Sequence, residues 1–230
     1  MNKISVVIPV FNEVDSIEKL LSHLKNCVLH KDAMEIIVVD GGSTDGSQEK
    51  IGINHNVTLI KSEKGRAIQM NVGAKAATGN IIYFLHSDSL PPPYFDRIIN
   101  NAIQKGNQAG CFRMKFDYRH PVLIISQWFT RFNHISCRGG DQSLFITNEL
   151  FKELEGFDEK FIIYEDNEII SRLYSKKQFV VLPNYIITSA RRYHQNGVWR
   201  LQYHFTIIHL KRRLGHSTAS MLQYYRKNIL

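Results

Sequence analysis

The chain is poor in the features that reveal a purpose at first sight. Its 230 residues hold only three cysteines, Cys27, Cys111 and Cys137, odd in number and far apart. That excludes a disulfide scaffold and offers no zinc-ligand spacing; it fits thiols kept reduced, hence a cytoplasmic setting. Long apolar runs are missing too: Ile81 to Leu85 and Val122 to Ile125 fall far short of the ~20 residues that span a bilayer. The first residues, Met1-Asn2-Lys3 and then Ile4 to Phe11 with Pro9 inside, lack a cleavage site and read as a strand rather than a signal peptide. No Gly-x-Gly-x-x-Gly follows that strand and no Gly-x-x-x-x-Gly-Lys-Ser/Thr occurs, which argues against a dinucleotide dehydrogenase and a P-loop kinase. Arginine-rich tracts, zinc-finger spacings, internal repeats and low-complexity segments are also absent. Nucleic acid is therefore not an expected partner.

What is present is enough for a core: 43% of the residues are hydrophobic and 11% of all residues are aromatic. The formal charge of +8, from 29 basic and 21 acidic residues, suits an anionic partner such as a nucleotide diphosphate or an anionic lipid surface. The first half alternates strands (Ile4 to Val10, Met34 to Asp40, Val57 to Lys61, Asn80 to Leu85) with helices (Val14 to Cys27, Thr44 to Ile51, Arg66 to Ala77). Such a rhythm predicts a parallel, three-layer α/β sandwich with right-handed crossovers. After Pro91-Pro92-Pro93 the pattern changes. Helices are expected over Tyr94 to Gln104, Pro121 to Phe132 and Glu165 to Ser175, and strands over Ala109 to Phe116 and Gln142 to Thr147. A long helical stretch follows from about Val198, broken near Gly215. The expectation is one continuous fold over 1–230: a nucleotide-binding half to about residue 90, an acceptor-binding half to about 200, and a helical segment over about 198–230.

The most informative stretch is Ile36 to Gly46, a wholly apolar run that ends in Asp40 and then Gly-Gly-Ser-Thr-Asp. The run reads as a strand buried on both faces, and Asp40 then stands at its carboxyl end, where open α/β sheets bind ligands. Three more acidic groups follow apolar strands or open helices: Asn12-Glu13, His86-Ser87-Asp88 and Glu165-Asp166. Asp40 can accept hydrogen bonds from a base or ribose. Asp88 suits a hard divalent cation bridging a diphosphate. Asp166 can serve as a general base. Plainer readings stand beside these: a turn at Asp88, a helix-dipole partner at Glu165-Asp166, a loop and helix start at Asn12-Glu13. Gly140-Asp141-Gln142 reads either as a close approach to sugar hydroxyls or as a glycine turn into the next strand.

Pro9-Val10-Phe11-Asn12-Glu13, Val39 to Asp45, Gly65 to Ala74, Leu85 to Ser89, Gly140-Asp141-Gln142, Tyr164-Glu165-Asp166 and Thr188 to Arg192 resemble, in order, the signatures of family-2 glycosyltransferases with the GT-A fold. They are most similar to a compact bacterial subgroup associated with radical-SAM or selenodomain proteins. The resemblance implies inverting transfer from a nucleotide-diphosphate sugar to an acceptor hydroxyl. It places Pro9, Asn12, Glu13, Asp40, Arg66, Asn71 and Ser87 around the nucleotide, and Arg191 and Arg192 on the diphosphate. Gly140, Asp141, Gln142 and Glu165 fall to sugar or acceptor, and Asp166 to the base. Asp88 matches the last acid of the family's Asp-x-Asp and implies Mn²⁺ or Mg²⁺. His86 replaces the first acid, and it and His194 are candidate further ligands. Nucleotidyl transfer and non-catalytic nucleotide-sugar binding are the rival readings. Val198, Leu201, Phe205, Ile208 and Leu210 form a helical stripe that either packs on the core or lies on a membrane; Ile124 to Phe132 carries the same two options.

Overall fold

Strand β1 (Ile4–Val10) is buried at all seven positions and lies between β2 (Met34–Asp40) and β4 (Ile81–Phe84), parallel to both. Pro9 is tolerated there for a geometric reason. The Val10 carbonyl faces β2, accepting from Gly41 N, so the neighbouring Pro9 nitrogen faces the other side. On that side β4 pairing has already ended at Phe84↔Val7. The computed structural model describes residues 2–54, 56–139 and 142–229.

Eight strands form one sheet in the order β3-β2-β1-β4-β7-β6-β8-β5, with β3 at Val57–Lys61, β5 at Ser89–Leu90, β6 at Ala109–Phe116, β7 at Leu144–Thr147 and β8 at Phe179–Thr188. Strands β3, β2, β1 and β4 are mutually parallel; β7 is antiparallel to β4 and β6, and β6 is again parallel to β8. The period-two rule is visible in the two cores. Val6, Ile8, Val38 and Tyr83 pack on one face, where α1 (Ile17–Cys27) contributes Ile17, Leu20, Leu21 and Leu24. Val7, Ile37, Val39 and Phe84 pack on the other, against Ala67 and Met70 of α3 (Arg66–Ala76) and Ile169 and Leu173 of α7 (Glu165–Ser175). This is the three-layer GT-A architecture.

Several expected boundaries shift. The first two helices start later than their patterns imply: α1 at Ile17 and α2 at Ser47 (Ser47–Gly52), because Asp45 Oδ1 accepts from Ser47 N and Oδ2 from Val14 N, holding the preceding residues in a loop. Helix α4 (Phe95–Gln104) opens after a left-handed Tyr94, α5 covers Pro121–Phe129, and a short α6 (Asn148–Glu153) follows β7 directly. Strand β8 was not among the expected strands, and Pro183 lies inside it. The ladder with β6 runs Phe112↔Leu182 and then Arg113↔Tyr185, so Pro183-Asn184 is extruded as a bulge. Beyond β8 come α8 (Arg191–Asn196), α9 (Val198–Arg213) and α10 (Thr218–Asn228), which close a third small core with Leu123 of α5. There Leu201 and Ile208 are buried and Val198 and Phe205 packed, so most of the α9 stripe faces protein. Leu210 does not.

Helix α3 sits unusually close to the sheet. A Cβ placed on Gly73 would lie 2.3 Å from Val7 Cγ1 and 3.1 Å from Val39 Cγ2, both in the core. Gly73→Ala is expected to lower stability by about 1–3 kcal/mol despite the better helix propensity of alanine, measured by urea or thermal unfolding.

Candidate functional site

The carboxyl ends of β1 and β4 and the first turn of α7 meet at one rim. Glu13 follows β1, His86-Ser87-Asp88 follow β4, and Glu165-Asp166 open α7. Two cations from distant parts of the chain tie these acids together. Arg191, in the first turn of α8, donates Nη1 to Glu13 Oε2 at 2.7 Å and Nη2 to Glu13 Oε1, with Nη2 3.6 Å from Asp88 Oδ2. Arg66, first residue of α3, places Nη1 3.1 Å from Glu165 Oε1 and 4.0 Å from Asp166 Oδ2. His86 Nε2 stands 3.7 Å from Asp166 Oδ2, two residues along from Asp88, and so joins the clusters. What delivers Arg191 is backbone pairing: β5 binds the end of β8, Ser89↔Thr188, and Ser189 N donates to the Asp88 carbonyl at 3.1 Å.

The electrostatics separate the two acids of α7. Burial, then the neighbouring Asp166, raise the Glu165 pKa against the pull of Arg66. For Asp166 burial also acts upward, but the nearby His86 ring, 3.7 Å away, and the Arg66 charge prevail and lower it. The pair therefore keeps its negative charge on Asp166 and its proton on Glu165 when it holds one. Burial would likewise raise Glu13, yet hydrogen bonds from Arg191, Ser16 and Ser87 and the Arg191 charge leave it below 4.5.

Asp40 is fully buried and turned into its own loop: Oδ2 accepts from Gly42 N and Ser43 N, each at 3.0 Å, and from Gln48 Nε2 at 2.8 Å. It shapes the Gly41-Gly42-Ser43 turn, while Asn12 braces the same turn, its N donating to Ser43 Oγ and its Oδ1 accepting from Thr44 N, both 2.9 Å. Other expected residues are placed elsewhere. Asn71, five positions and hence about 140° around α3 from Arg66, pairs with the Phe157 backbone and Glu159. Gln142 is buried, accepting from Arg138 at 2.7 Å and donating to the Cys137 carbonyl at 3.0 Å. Arg192 donates to Tyr225 Oη of α10 at 2.9 Å, and the His194 ring packs 4.2 Å from that of Tyr118. Pro9 is part of the sheet. Gly140 and Asp141 lie outside the described residues. No group of three or more His, Cys, Asp or Glu among the described residues is arranged to hold a metal by itself. A groove of about 750 Å³, lined by Asn71, Lys75, Phe151, Phe157 and Arg172 among others, contains none of the clustered acids.

Residues missed from sequence complete the frame. Gln69 is buried and donates Nε2 to the Val10 and Val39 carbonyls, both 2.8 Å, sealing the ends of β1 and β2. Ser47 Oγ accepts from Glu13 N at 2.9 Å. The signal for Gln69 was a polar residue on the sheet-facing side of α3; Ser47 carried none.

This fold and rim define a GT-A glycosyltransferase scaffold. The model of the glycosyl transferase family 2 matches residues 5–153, and the chain belongs to that family. It is 35% identical over 122 residues to the undecaprenyl-phosphate 4-deoxy-4-formamido-L-arabinose transferase of Proteus mirabilis, covering 49% of this chain but 37% of that enzyme. An uncharacterized glycosyltransferase of Escherichia coli, YibD, is 23% identical over 97% of this chain and 74% of its own length. Among solved structures, the mannosyltransferase PcManGT of Pyrobaculum calidifontis with GDP-Man and Mn²⁺ superposes with a TM-score of 0.69 at 20% identity, over 94% of this chain and 65% of that one. Staphylococcus aureus TarS 1-349 with UDP gives 0.67 at 22%, over 82% and 60%.

The ion pair at Glu13 has a testable sign. Its lowered carboxyl pKa contributes stability that is present above 4.5 and is lost as pH falls through the folded-state value. In Arg191→Ala, burial remains without the cation. The thermal midpoint of the variant is expected to trail wild type most near pH 7, the gap closing as pH drops below about 4. A gap that widened in acid would contradict the pairing.

Proposed function

We propose that the chain is an inverting glycosyltransferase that moves a sugar from a nucleotide-diphosphate donor to an acceptor hydroxyl with the help of a divalent cation. The observation that carries the reading is the meeting of Asp88 and Asp166 at one rim through His86 and two arginines. The nucleoside lies along the loops after β1 and β2, against Glu13 and Ser87, with Pro9, Asn12 and Asp40 shaping the walls and Arg66 closing one side. Arg191 is already beside Asp88 and turns to the diphosphate, a bidentate match for guanidinium. Asn71, Arg192, Gln142 and His194 are engaged elsewhere and are left out of the assignment, as are Gly140 and Asp141.

The donor set at Asp88 fits Mg²⁺ or Mn²⁺, which take one or two carboxylates together with phosphate oxygens and water. Asp88 would hold the ion, whose chemistry there is neutralisation of charge on the departing diphosphate. Asp166, kept ionised beside His86, accepts the acceptor O–H proton. The freed oxygen forms its bond to the anomeric carbon from the face opposite the diphosphate, and the sugar–phosphate bond breaks with its electron pair on the leaving oxygen. Glu165, paired with Arg66, accepts a hydrogen bond from a sugar hydroxyl. The cytoplasmic site of action is supported only by three cysteines that are odd in number and far apart in the chain. His86 in place of an acid supports the likeness to the radical-SAM-associated subgroup. Similar proteins are named with UDP and with GDP-Man, so the base is left to experiment.

Uridine, guanosine and thymidine diphosphate sugars should be screened by thermal shift with Mn²⁺. One donor is expected to stabilise the fold, and Asp88→Ala to abolish the Mn²⁺-dependent part. Asp166→Asn should keep that shift while nucleotide release from the donor falls roughly 10²–10⁴-fold. Undiminished release would remove Asp166 from the base role. Pyrophosphate formed from a nucleoside triphosphate and a sugar phosphate would replace the proposal with nucleotidyl transfer, and binding without release for any acceptor would replace it with a binding protein.

A further inference from the structure

One exposed surface of the protein is apolar. Helix α5, Pro-Val-Leu-Ile-Ile-Ser-Gln-Trp-Phe, buries only Leu123 fully, although a helix this apolar belongs in an interior. Ile124, Ile125, Trp128, Phe129 and the following Phe132 are each 43–59% exposed. The rings of Trp128, Phe129 and Phe132 cluster, with the Arg131 guanidinium 4.7 Å from the Trp128 ring. Helix α9 continues the surface. Its inner side packs Leu201 and Ile208, while Trp199, 74% exposed, and Tyr203, Leu210 and Leu214 project outward. His120, the N-cap of α5, brings its ring 6.1 Å from Trp199 and joins the two helices.

Charge identifies the occupant. Residues 169–230 contain 11 Lys and Arg and no Asp or Glu; the preceding 168 residues carry 18 basic and 21 acidic. The whole excess of +8 thus belongs to the segment that holds α8–α10, and the α5 segment from Tyr118 to Gly139 also lacks an acid. Arg131, beside the Trp128 ring, and Arg200 and Arg213, which flank the outward side of α9, are exposed. A second copy of the chain would meet the same positive charge and be repelled. Single-stranded nucleic acid stacks on aromatic platforms, whereas four of the nine apolar side chains on this surface are aliphatic: Ile124, Ile125, Leu210 and Leu214. Aliphatic and tryptophan side chains rimmed by arginine, on helices lying along a surface, are the composition of an interfacial membrane contact.

We infer that the exposed sides of α5 and α9 form one face that seats on an anionic phospholipid bilayer, with the indole rings at headgroup depth. No helix among the described residues is long and apolar enough to cross a membrane, and the proposed contact places α5 and α9 along the bilayer surface. The face is distinct from the acidic rim, and its test does not use transfer activity.

Trp128 and Trp199 are the only tryptophans of the chain, and both lie on this face. Their emission should shift to the blue when vesicles of phosphatidylcholine with phosphatidylglycerol are added, and not with phosphatidylcholine alone. Trp128→Phe and Trp199→Phe, made separately, resolve the two signals. Co-sedimentation with the anionic vesicles should weaken about tenfold between ~0.1 M and ~0.5 M salt. The double variant Ile125→Glu, Phe129→Ser should lose at least about tenfold in vesicle affinity at an unchanged thermal midpoint. Arg200→Ser, Arg213→Ser, at two exposed arginines flanking the face, serves as a second variant and should weaken anionic binding alone. Equal affinity for neutral and anionic vesicles, no blue shift, or wild-type binding by both double variants would overturn the inference. So would tight binding of polyuridylate without vesicle binding, or a concentration-dependent dimer that buries the tryptophans.

Discussion

A carboxylate taken out of water needs a cation or a set of N–H donors, because the penalty for an unpartnered buried charge is several times a typical net hydrogen bond. The rim of this sheet does this repeatedly. Glu13 is held by Arg191, Glu165 and Asp166 by Arg66 and His86, and Asp40 by backbone amides and Gln48. The arginine pairings span long stretches of chain, 178 residues for Arg191 to Glu13 and 99 for Arg66 to Glu165, whereas Asp40 is held within its own loop. The charges that a substrate would meet are therefore the same ones that pin remote segments together.

The sheet order makes those meetings possible. Reversal of direction at β7 returns the chain beside β4, and the parallel β6–β8 pair then brings Thr188 back to Ser89. Arg191 reaches Asp88 as a consequence of backbone hydrogen bonding three residues earlier. Extruding Pro183-Asn184 as a bulge keeps that register despite a residue that cannot donate. The segment from α8 to α10 is thus anchored at the crevice by its first turn, while its outer side carries the basic and aromatic surface.

Much of this was legible from local pattern. The apolar runs of β1 to β4 announced a parallel sheet, and acids at their ends announced a rim, because strand polarity fixes which end faces the loops. The motif at Tyr164-Glu165-Asp166 marked the start of α7 within a residue. Identity of residue type was less informative where a side chain has two faces to choose between. Asn71 and Arg66 share one motif, yet helix periodicity turns Asn71 toward Phe157 and Glu159. Arg191 and Arg192 are adjacent and diverge, one to Glu13 and the other to Tyr225. Gln142 has the chemistry of a sugar ligand and spends it on Arg138 and Cys137.

By itself the sequence determined the layer architecture, the polarity of the sheet and the family, since these follow from periodicity and from the order of short motifs. Tertiary structure alone decided which polar groups face the crevice and which brace the loops. A hydrogen bond between residues 99 or 178 positions apart depends on strand register and helix phase, neither of which is written in the local string. The same holds for α5. Its apolar run reads equally as core or as surface, and only the packing of Leu123 against α9 determines that Ile125, Trp128 and Phe129 point outward.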